Sequence, residues 1–463
     1  MQKLFDEVGS LDKRCYEEFG LSEDILMEHA ADGMADYIRA NFPANSKVII
    51  ACGSGNNGAD GIALSRLLHS RFNTSLLLAK KPKSKMAKLQ LQRANAIGVG
   101  SISELEQCDV VVDAVLGTGF QGDFDNEIKN LLNTMNMLDA FKIACDIPSG
   151  LRQNGETQKS SFIADVTLTM GALKKSMFSD SAKEFVGEIK VLDLGVTREI
   201  YEKESEWKLL DLEDLKLPFR DKKSTHKGSF GHATIISGDK LGATALSAKA
   251  ALCFGAGLVT LLASSKIQTP NSIMRSETMP HNTTAVAIGM GLGDTFKDKE
   301  LHSFIEGEVP IIADADIFHM ELVKKILLKK EVVLTPHPKE FISLLKRTDL
   351  ADITIDELQN NRFKYVQLFC HHYPNAILLL KGANVIIGKE KKFFINPHGT
   401  SALAKGGSGD VLSGLIVALL AQGYEILDAT IHASLAHTKL AINYSGANFS
   451  LTPEKLIAGI ERL

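Results

Sequence analysis

Short runs of β-branched and other apolar residues alternate with helical segments along most of the chain, and this alternation restricts the fold more than any other feature. Uninterrupted apolar runs are typical of strands in parallel sheets, because helices cover both faces of such sheets. The strands predicted in this way form two series. They are Val48–Cys52, Ser75–Ala79, Val110–Val115, Ile143–Asp146, Val166–Met170 and Ile189–Leu194, then Ala233–Ser237, Leu258–Leu262, Ala285–Met290, Pro310–Asp314, Val332–Thr335, Ala376–Leu380 and Val385–Ile387.

A break separates the two series between residues 198 and 227, where charged residues are dense and Pro218 occurs. The chain of 463 residues is also longer than chains that usually fold around a single hydrophobic core. We therefore predict an α/β protein of two domains. The first is a three-layer αβα sandwich over residues 1–205, and the second is another α/β domain over residues 220–463.

Composition excludes several classes of protein. The net charge of −4 offers no electrostatic basis for binding nucleic acid. We expect no signal peptide, because acidic residues stand in the first eight positions, and no membrane span, because the chain has no apolar stretch of about 18 residues. The six cysteines lack paired spacing, so free thiols are expected. These features favour a cytoplasmic enzyme or binding protein.

One glycine-rich segment near the C-terminus points to phosphate chemistry. Residues 405–410 read Lys-Gly-Gly-Ser-Gly-Asp and lead into an apolar run predicted as a helix over residues 409–421. The glycines can expose backbone N–H groups as an anion-binding nest at the positive end of that helix. An aspartate there, Asp410, is best explained as a base that accepts a hydroxyl proton beside a phosphate. The alternative is a flexible loop with an aspartate that only starts the helix.

A second glycine-rich loop follows the first predicted strand. Gly53, Gly55 and Gly58 match the pattern G-x-G-x-x-G. A dinucleotide-binding strand pair would also carry an acidic residue about 20 positions later for the ribose. The next strand instead ends in Lys80 and Lys81. Ordinary NAD binding is therefore not favoured.

Polar side chains stand at the ends of three predicted N-terminal strands. Asn57 and Asp60 follow the first strand, and Asp113 and Asp146 lie at the ends of two later ones. The carboxyl ends of parallel strands meet at one edge of a sheet, so these groups are expected to converge on a ligand or a weakly held cation. The alternative is that Asp113 and Asp146 only cap adjacent turns.

The segments Asn56–Gly61, Val112–Gly119 and Asp146–Gly150 together resemble the epimerase domain of NAD(P)H-hydrate repair enzymes, over residues 1 to about 200. The resemblance implies a Rossmann-like domain in which Asp146 is catalytic. It implies a K⁺ ion held by Asn57, Asp113 and Ser149. The implied substrate contacts are Asn56, Asn57, Gly58, Ala59, Asp60, Gly117, Thr118, Gly119, Phe120, Gln121, Gly122 and Asp123, with Ala59 standing where the family usually has glycine.

Further loops stand at the predicted strand ends of the second series. Gly289–Gly293, Asp314–Asp316, Thr335–Glu340 and Lys381–Val385 each follow a strand. His337 lies between two prolines, so a rigid turn is the alternative to a site residue, and a solvated strand end is the alternative for Asp314.

From residue 222 to the end, the chain resembles the ribokinase-like NAD(P)H-hydrate dehydratases. The resemblance implies that Asp410 is catalytic and that Gly291 and His337 face the hydrated nicotinamide. Two departures from the family pattern are Met290 in place of proline and Lys339 in place of glycine. The implied nucleotide-binding residues are Lys381, Gly382, Ala383, Asn384, Val385, Gly407, Ser408 and Gly409.

The two resemblances together imply a bifunctional repair enzyme, an isomerase fused to a lyase. It would interconvert the C6 epimers of hydrated NADH or NADPH and dehydrate the S epimer at the expense of ADP or ATP, giving AMP or ADP and phosphate. The implied cofactors are K⁺ at the epimerase site and Mg²⁺ with the nucleotide at the dehydratase site, in a homo-oligomer with no nucleic-acid or membrane partner. Two alternatives remain open: a ribokinase-like small-molecule kinase fused to a ligand-binding domain, and a non-catalytic scaffold.

Overall fold

In the computed structural model the chain forms two compact units, residues 3–207 and residues 208–463, and the first two residues group with the second. We call them the N-terminal unit and the C-terminal unit. The structure describes residues 1–120, 122–263, 269–293, 296 and 298–463, so Gln121, expected at the substrate, lies outside the described residues. The limits 1–205 and 220–463 remain our proposal for the two functional domains.

The first part of the chain alternates strands and helices as predicted. Its strands are β1 (Gln2–Leu4), β2 (Lys47–Cys52), β3 (Asn73–Leu78), β4 (Gly100–Ile102), β5 (Val110–Ala114), β6 (Phe141–Cys145), β7 (Val166–Met170), β8 (Glu188–Leu192) and β9 (Trp207–Leu209). Its helices are α1 (Gly9–Glu18), α2 (Glu23–Asn41), α3 (Asn56–Leu68), α4 (Lys85–Ile97), α5 (Asn126–Met137) and α6 (Arg198–Tyr201), with a 3-10 turn at Lys175–Phe178.

Strands β2 to β8 form a parallel sheet in the order β4-β3-β2-β5-β6-β7-β8. Successive residues of a strand point to opposite faces. Val48 and Ile50 of β2 accordingly join the core beneath α2, α3 and α4, and Ile49 and Ala51 join the core beneath α5. All four are fully buried. The predicted three-layer αβα sandwich is confirmed.

The strand order opens a crevice in the N-terminal sheet. From β2 the chain continues to β3 and β4 on one side, and from β5 it continues to β6, β7 and β8 on the other. The loops that leave β2 and β5 therefore diverge at the carboxyl ends of two neighbouring strands. Ligands bind parallel sheets at such a switch point.

The remaining chain forms the second α/β series. Its strands are β10 (His232–Ile236), β11 (Leu258–Leu262), β12 (Met274–Ser276), β13 (Ala285–Ile288), β14 (Ile311–Ala313), β15 (Val332–Leu334), β16 (Ala376–Leu380), β17 (Val385–Lys389) and β18 (Lys392–Asn396). Its helices are α7 (Leu241–Cys253), α8 (Asp298–Phe304), α9 (Leu322–Ile326), α10 (Pro338–Arg347), α11 (Ile355–Asn360), α12 (Arg362–His372), α13 (Ser408–Ala421), α14 (Ile426–Ile442) and α15 (Pro453–Gly459). Single 3-10 turns lie at Leu212–Asp214, Lys227–Phe230, Ala315–His319, Ser401–Leu403, Asn448–Ser450 and Ile460–Arg462.

Strands β10 to β18 lie in one sheet in the order β18-β17-β16-β15-β14-β13-β10-β11-β12. The pairs from β16 to β12 are parallel, and β17 and β18 are antiparallel. The switch point lies between β10 and β13. Strand β18 was not predicted, because the lysines before its apolar residues have the composition of a loop. Helix α13 is buried along nearly its whole length and packs on α7 and the sheet.

Two expectations from composition can be compared with the structure. Within the described part of the chain, no helix combines the length and the apolar character that a membrane crossing requires. All six cysteines are free thiols, as predicted, and Cys253 is the exposed one among them.

Candidate active sites

The loop after β2 is shaped by close backbone contacts. A β-carbon at Gly53 would overlap the carbonyl of Val115, and one at Gly58 would overlap the backbone of Gly53. The pattern G-x-G-x-x-G therefore serves to pack this loop against the loop after β5, and α3 begins directly behind it at Asn56.

A cavity of about 460 Å³ lies at this switch point of the N-terminal sheet. It is bounded by the loops that follow β2 and β5, by the first residue of the loop that follows β6, and by α1 and α2. The polar side chains and loop residues around it are Asp12, Tyr16, Glu23, Asn56, Asn57, Asp60, Gly117, Thr118, Gly119, Phe120 and Asp146.

Three polar residues beside the cavity form a compact group. Asp113 is fully buried, and its carboxylate accepts hydrogen bonds from Ser149 Oγ at 2.7 Å, Ser149 N at 2.7 Å and Val115 N at 3.1 Å. Burial raises the pKa of Asp113 to about 6, although these hydrogen bonds oppose the shift. Asn57 donates from Nδ2 to Leu116 O at 3.1 Å, but its Oδ1 is buried without a hydrogen-bond partner among the described residues.

Asp146 is held by a buried lysine. Its backbone has φ +69°, in the left-handed region that side chains seldom adopt. Its Oδ1 accepts hydrogen bonds from Lys174 Nζ at 2.6 Å and from Met170 N at 3.1 Å. Lys174 is 1% exposed and also donates to Thr169 Oγ1 at 2.9 Å. These contacts fix the position of the Asp146 carboxylate at the cavity.

Two more acids face the same cavity. Asp60 is 7% exposed, and burial raises its pKa well above the usual value, helped by the charges of Asp146, Asp12 and Glu23. Asp12 accepts a hydrogen bond from Tyr201 Oη at 2.6 Å, and burial raises its pKa as well.

In the C-terminal unit the predicted anion nest lies at the start of α13. Gly407 is the N-cap residue with φ +89°, which glycine adopts at low cost. Ser408 N donates to Lys405 O at 3.2 Å, whereas no acceptor in the described chain takes the N–H groups of Gly407 or Gly409. Ser408 Oγ lies 3.1 Å from Nε2 of the buried His437, whose pKa is lowered to about 4 by burial. The N–H groups of Gly407 and Gly409 are therefore available to bind an anion, and the nearby His437 is uncharged at neutral pH.

Asp410 lies in the first turn of α13 and is half-buried. Burial, with a smaller contribution from the charge of Asp314, raises its pKa to about 6, although the charge of Lys381 opposes the shift. Ser247 Oγ donates to the backbone oxygen of Asp410 at 2.7 Å, which ties the turn to α7. A carboxylate that titrates near neutrality is suited to accept a proton.

Lys381 reaches the same loop. Its Nζ donates to Asp314 Oδ1 at 2.6 Å, and Ser413 Oγ donates to Asp314 Oδ2 at 2.7 Å. A β-carbon on Gly409 would lie 3.3 Å from Lys381 Nζ, so the ammonium sits directly against the loop. A fixed positive charge, two free amides and a carboxylate are thus gathered at one helix start.

His337 and Lys339 lie at the start of α10. His337 is its N-cap, and its Nδ1 accepts from Glu340 N at 3.1 Å while its own N donates to Glu340 Oε2 at 2.7 Å. His337 therefore forms a rigid turn and is still accessible to a ligand, because about half of its side chain is exposed. Lys339 is exposed.

Comparisons with known proteins agree with this arrangement. Residues 23–176 match the family described as YjeF-related protein N-terminus, and residues 233–462 match the NAD(P)H-hydrate dehydratase family. The bifunctional NAD(P)H-hydrate repair enzyme Nnr of Helicobacter pylori is 44% identical over 100% of both chains. The chain belongs to the family of bifunctional NAD(P)H-hydrate repair enzymes. The Coxiella burnetii member of this family is 30% identical, over 92% of this chain and 91% of its own.

A solved structure of the ADP/ATP-dependent NAD(P)H-hydrate dehydratase from Bacillus subtilis, co-crystallised with ATP and Mg²⁺, is similar to the C-terminal part of this repair-family chain. The identity is 26%, with 53% of this chain and 92% of that chain covered and a TM-score of 0.46.

The structure brings several of the residues implied by the family resemblance close together, in two groups. Asn57, Asp113 and Ser149 lie together at one cavity, with Asp146 on the same edge. Asp410, Lys381, Gly407 and Gly409 meet at the start of α13. Gly291 has φ +62°, and Asn384 is buried at the end of the β16–β17 connection.

Sequence reasoning missed two residues of the epimerase-like site of this repair enzyme. Lys174 follows β7, the strand beside β6, so a lysine after a strand end was a usable signal. Asp12 lies in α1 and carries no signal, because α1 is far from the glycine loops in sequence. Ser413 was missed for a similar reason, since it lies within the apolar run of α13.

Proposed function

We propose that the N-terminal unit interconverts the C6 epimers of hydrated NADH and NADPH, and that the C-terminal unit dehydrates the S epimer with ADP or ATP. The observation that carries this proposal is the placement of Asp410, with a pKa of about 6, beside Lys381 and the free amides of Gly407 and Gly409. The membership of the repair family supports the pairing of the two activities.

The dehydration begins with activation of a hydroxyl. Hydroxide is a poor leaving group, whereas phosphate, with a second pKa of about 6, is a good one. Asp410 takes the proton of the C6 hydroxyl, and the oxygen attacks the terminal phosphorus of the nucleotide. The bond from that phosphorus to its bridging oxygen breaks, and AMP or ADP leaves. The amides of Gly407 and Gly409 and the ammonium of Lys381 stabilise the charge that develops on the phosphoryl oxygens. The ring nitrogen then expels phosphate from C6, and loss of a proton from C5 restores NAD(P)H.

Mg²⁺ would enter this site with the nucleotide. The described residues contain no group of three or more His, Cys, Asp or Glu side chains that could hold a metal ion by themselves. This fits an ion whose other ligands are phosphate oxygens. Bound there, Mg²⁺ neutralises phosphate charge.

Residues at the N-terminal cavity fit a weakly held monovalent cation. The buried Oδ1 of Asn57 lacks a hydrogen-bond partner in the described chain, and the carboxylate of Asp113 lies nearby with Ser149. One carboxylate and neutral oxygens supply too little charge for a tight divalent site. Asn57, Asp113 and Ser149 would hold K⁺, which supplies charge for orienting the substrate phosphates or ring.

The proposed function is tested by mixing the purified protein with chemically prepared hydrate, Mg²⁺ and either ADP or ATP. We expect the absorbance of reduced nicotinamide to appear together with free phosphate. Both products should form whether the reaction starts from the S epimer or from the R epimer. We propose ADP as the donor used in preference to ATP, in a homo-oligomeric enzyme. A stable phosphate ester without reduced nicotinamide would instead identify a small-molecule kinase. The absence of both products would favour a non-catalytic scaffold.

A further inference from the structure

We infer that Asp60 is the general acid of the epimerase site and acts as the partner of Asp146, which is the base. This inference rests on the proposed epimerase function and adds a second catalytic residue to it.

The acids at the cavity differ in their hydrogen bonds. Four carboxyl side chains line it, and three of them accept a hydrogen bond from a neighbouring side chain. Asp12 accepts from Tyr201 Oη at 2.6 Å, Glu23 accepts from Asn56 Nδ2 at 2.7 Å, and Asp146 accepts from Lys174 Nζ at 2.6 Å. In the part of the chain that the structure describes, Asp60 has no such partner, although it is 7% exposed.

A carboxyl group that is nearly buried and accepts no hydrogen bond from the described protein is uncommon and calls for an explanation. Asp60 lies in α3, and its side chain lines the cavity rather than the core. A structural carboxylate would be satisfied by protein donors, as Asp113 is satisfied by Ser149 and Val115. A carboxyl group directed into a cavity without protein donors is available for a ligand group, here the substrate hydroxyl.

The two carboxyl groups have opposite environments. Asp146 has the ammonium of the buried Lys174 at 2.6 Å from its carboxylate. Asp60 has no such contact, and burial together with its negative neighbours favours its protonated form. Two acids in one site with such different surroundings are the usual signature of an acid and base pair. The titratable groups that face Asp60 are Asp12, Tyr16, Glu23, Cys52, Cys145, Asp146 and Lys174.

The proposed step conserves atoms and charge. Asp60 gives its proton to the C6 hydroxyl oxygen, the C6–O bond breaks, and water leaves while the lone pair of the ring nitrogen forms the N1=C6 bond. A water oxygen then adds to the other face of C6, the N1=C6 electrons return to nitrogen, and Asp146 accepts the proton of that water. Asp60 is left ionised and Asp146 protonated, and exchange with solvent restores both.

The test compares Asp60→Asn with the unchanged full-length enzyme. Asn has the shape of Asp but holds no transferable acid proton. Starting from the R epimer, we expect the kcat of epimer interconversion to fall by about 10²–10⁴-fold, which is the usual contribution of a general acid, with little change in KM. A matched control is Asp36→Asn, an exposed acid on α2 that pairs with Arg39, and it should leave interconversion unchanged.

Two further measurements separate an acid from a residue that only shapes the site. The unchanged enzyme should lose activity at alkaline pH as Asp60 ionises, and Asp60→Asn should lack this alkaline limb. In water enriched with oxygen-18, each inversion should introduce one labelled oxygen at C6. Unfolding curves show whether Asp60→Asn is folded. If the variant is unfolded, the acid role is tested on the unchanged enzyme alone, by the alkaline limb of its pH–rate profile and by the oxygen-18 found at C6.

The possible failures are distinguishable. If the unchanged enzyme does not interconvert the epimers, the proposed epimerase function and the role of Asp60 are both overturned. If it does interconvert them but Asp60→Asn retains near-normal kcat, or inversion proceeds without label, then only the acid role of Asp60 is overturned. A raised KM with unchanged kcat would make Asp60 a binding residue and would also overturn the acid role.

Discussion

Lys174 donates a hydrogen bond of 2.6 Å from Nζ to Oδ1 of Asp146, and the lysine side chain is only 1% exposed. The two residues follow neighbouring strands, β7 and β6. The pair therefore joins two strand ends and holds the proposed base at the mouth of the cavity.

We expect Lys174→Met to abolish most epimer interconversion at neutral pH, because Asp146 would lose the hydrogen bond that fixes its carboxylate at the cavity. Breaking one partner of a buried ion pair typically costs about 3–5 kcal/mol of stability. Interconversion of the epimers and denaturant unfolding measure the two effects. Nucleotide-dependent dehydration of the S epimer by the same variant is the internal control, and its parallel loss in a folded protein would contradict two separate sites.

Potassium is expected to support both activity and stability of the N-terminal unit. A cation at Oδ1 of Asn57, a buried atom with no hydrogen-bond partner in the described ranges, would satisfy that atom. We expect faster interconversion and a higher unfolding midpoint in K⁺ than in a bulky organic cation. Asn57→Leu should remove the K⁺ dependence of the midpoint, and equal midpoints of the original protein in both salts would remove the K⁺ site.

Asp410→Asn is expected to stop dehydration without loss of nucleotide binding. The amide keeps the shape at the start of α13 but cannot accept the hydroxyl proton, and a lost general base costs about 10²–10⁴-fold in rate. Turnover with ADP or ATP measures the first effect, and calorimetry measures nucleotide affinity.

The matched control is Asp428→Asn, an exposed acid on α14, and its turnover should be unchanged. Near-normal turnover in Asp410→Asn would contradict the phosphorylation mechanism. Loss of nucleotide binding would mean that Asp410 shapes the loop instead.

The pH dependence of dehydration follows from the same residue. The pKa of Asp410 is raised to about 6, and the base must be ionised to accept a proton. The rate should therefore fall as the pH decreases through about 6, and a rate that stays level down to pH 5 would exclude Asp410 as the base.

Stability changes in the opposite sense. The folded protein keeps the proton of Asp410 up to a higher pH than the unfolded chain, whose Asp pKa is about 3.9. The unfolding free energy contributed by this group should thus decrease as the pH rises from about 4 to about 6. Asp410→Asn lacks the group, so the variant should gain stability relative to the original protein over this range. The free energy of unfolding at pH 4 and pH 7 measures this difference.

Much of the fold could be predicted from local pattern. The strands Val166–Met170, Leu258–Leu262 and Ala376–Leu380 were predicted to the residue, because buried parallel strands are continuous apolar runs bounded by loops. Strand β18 was missed, since its short apolar run follows several lysines and has too little apolar sequence to be recognised as a strand.

Much of the site was predictable for a related reason. Glycine loops and acids at strand ends are local features, and a parallel sheet brings its carboxyl ends to one edge. Lys174 and Asp12 were not predicted, because their roles depend on the side chains that they contact in the folded protein. Those contacts cannot be deduced from positions in the sequence.

The sequence by itself determined two α/β series, their glycine loops and the family to which the chain belongs, because hydrophobic runs and backbone clearance are encoded locally. Only the tertiary structure decided that Lys174 lies against Asp146, that Asp60 accepts no hydrogen bond from the residues described, and that Lys381 meets the loop at Gly409. These relationships join residues from different strands and helices. The protonation state of each acid is set by the burial and the charges that such packing creates.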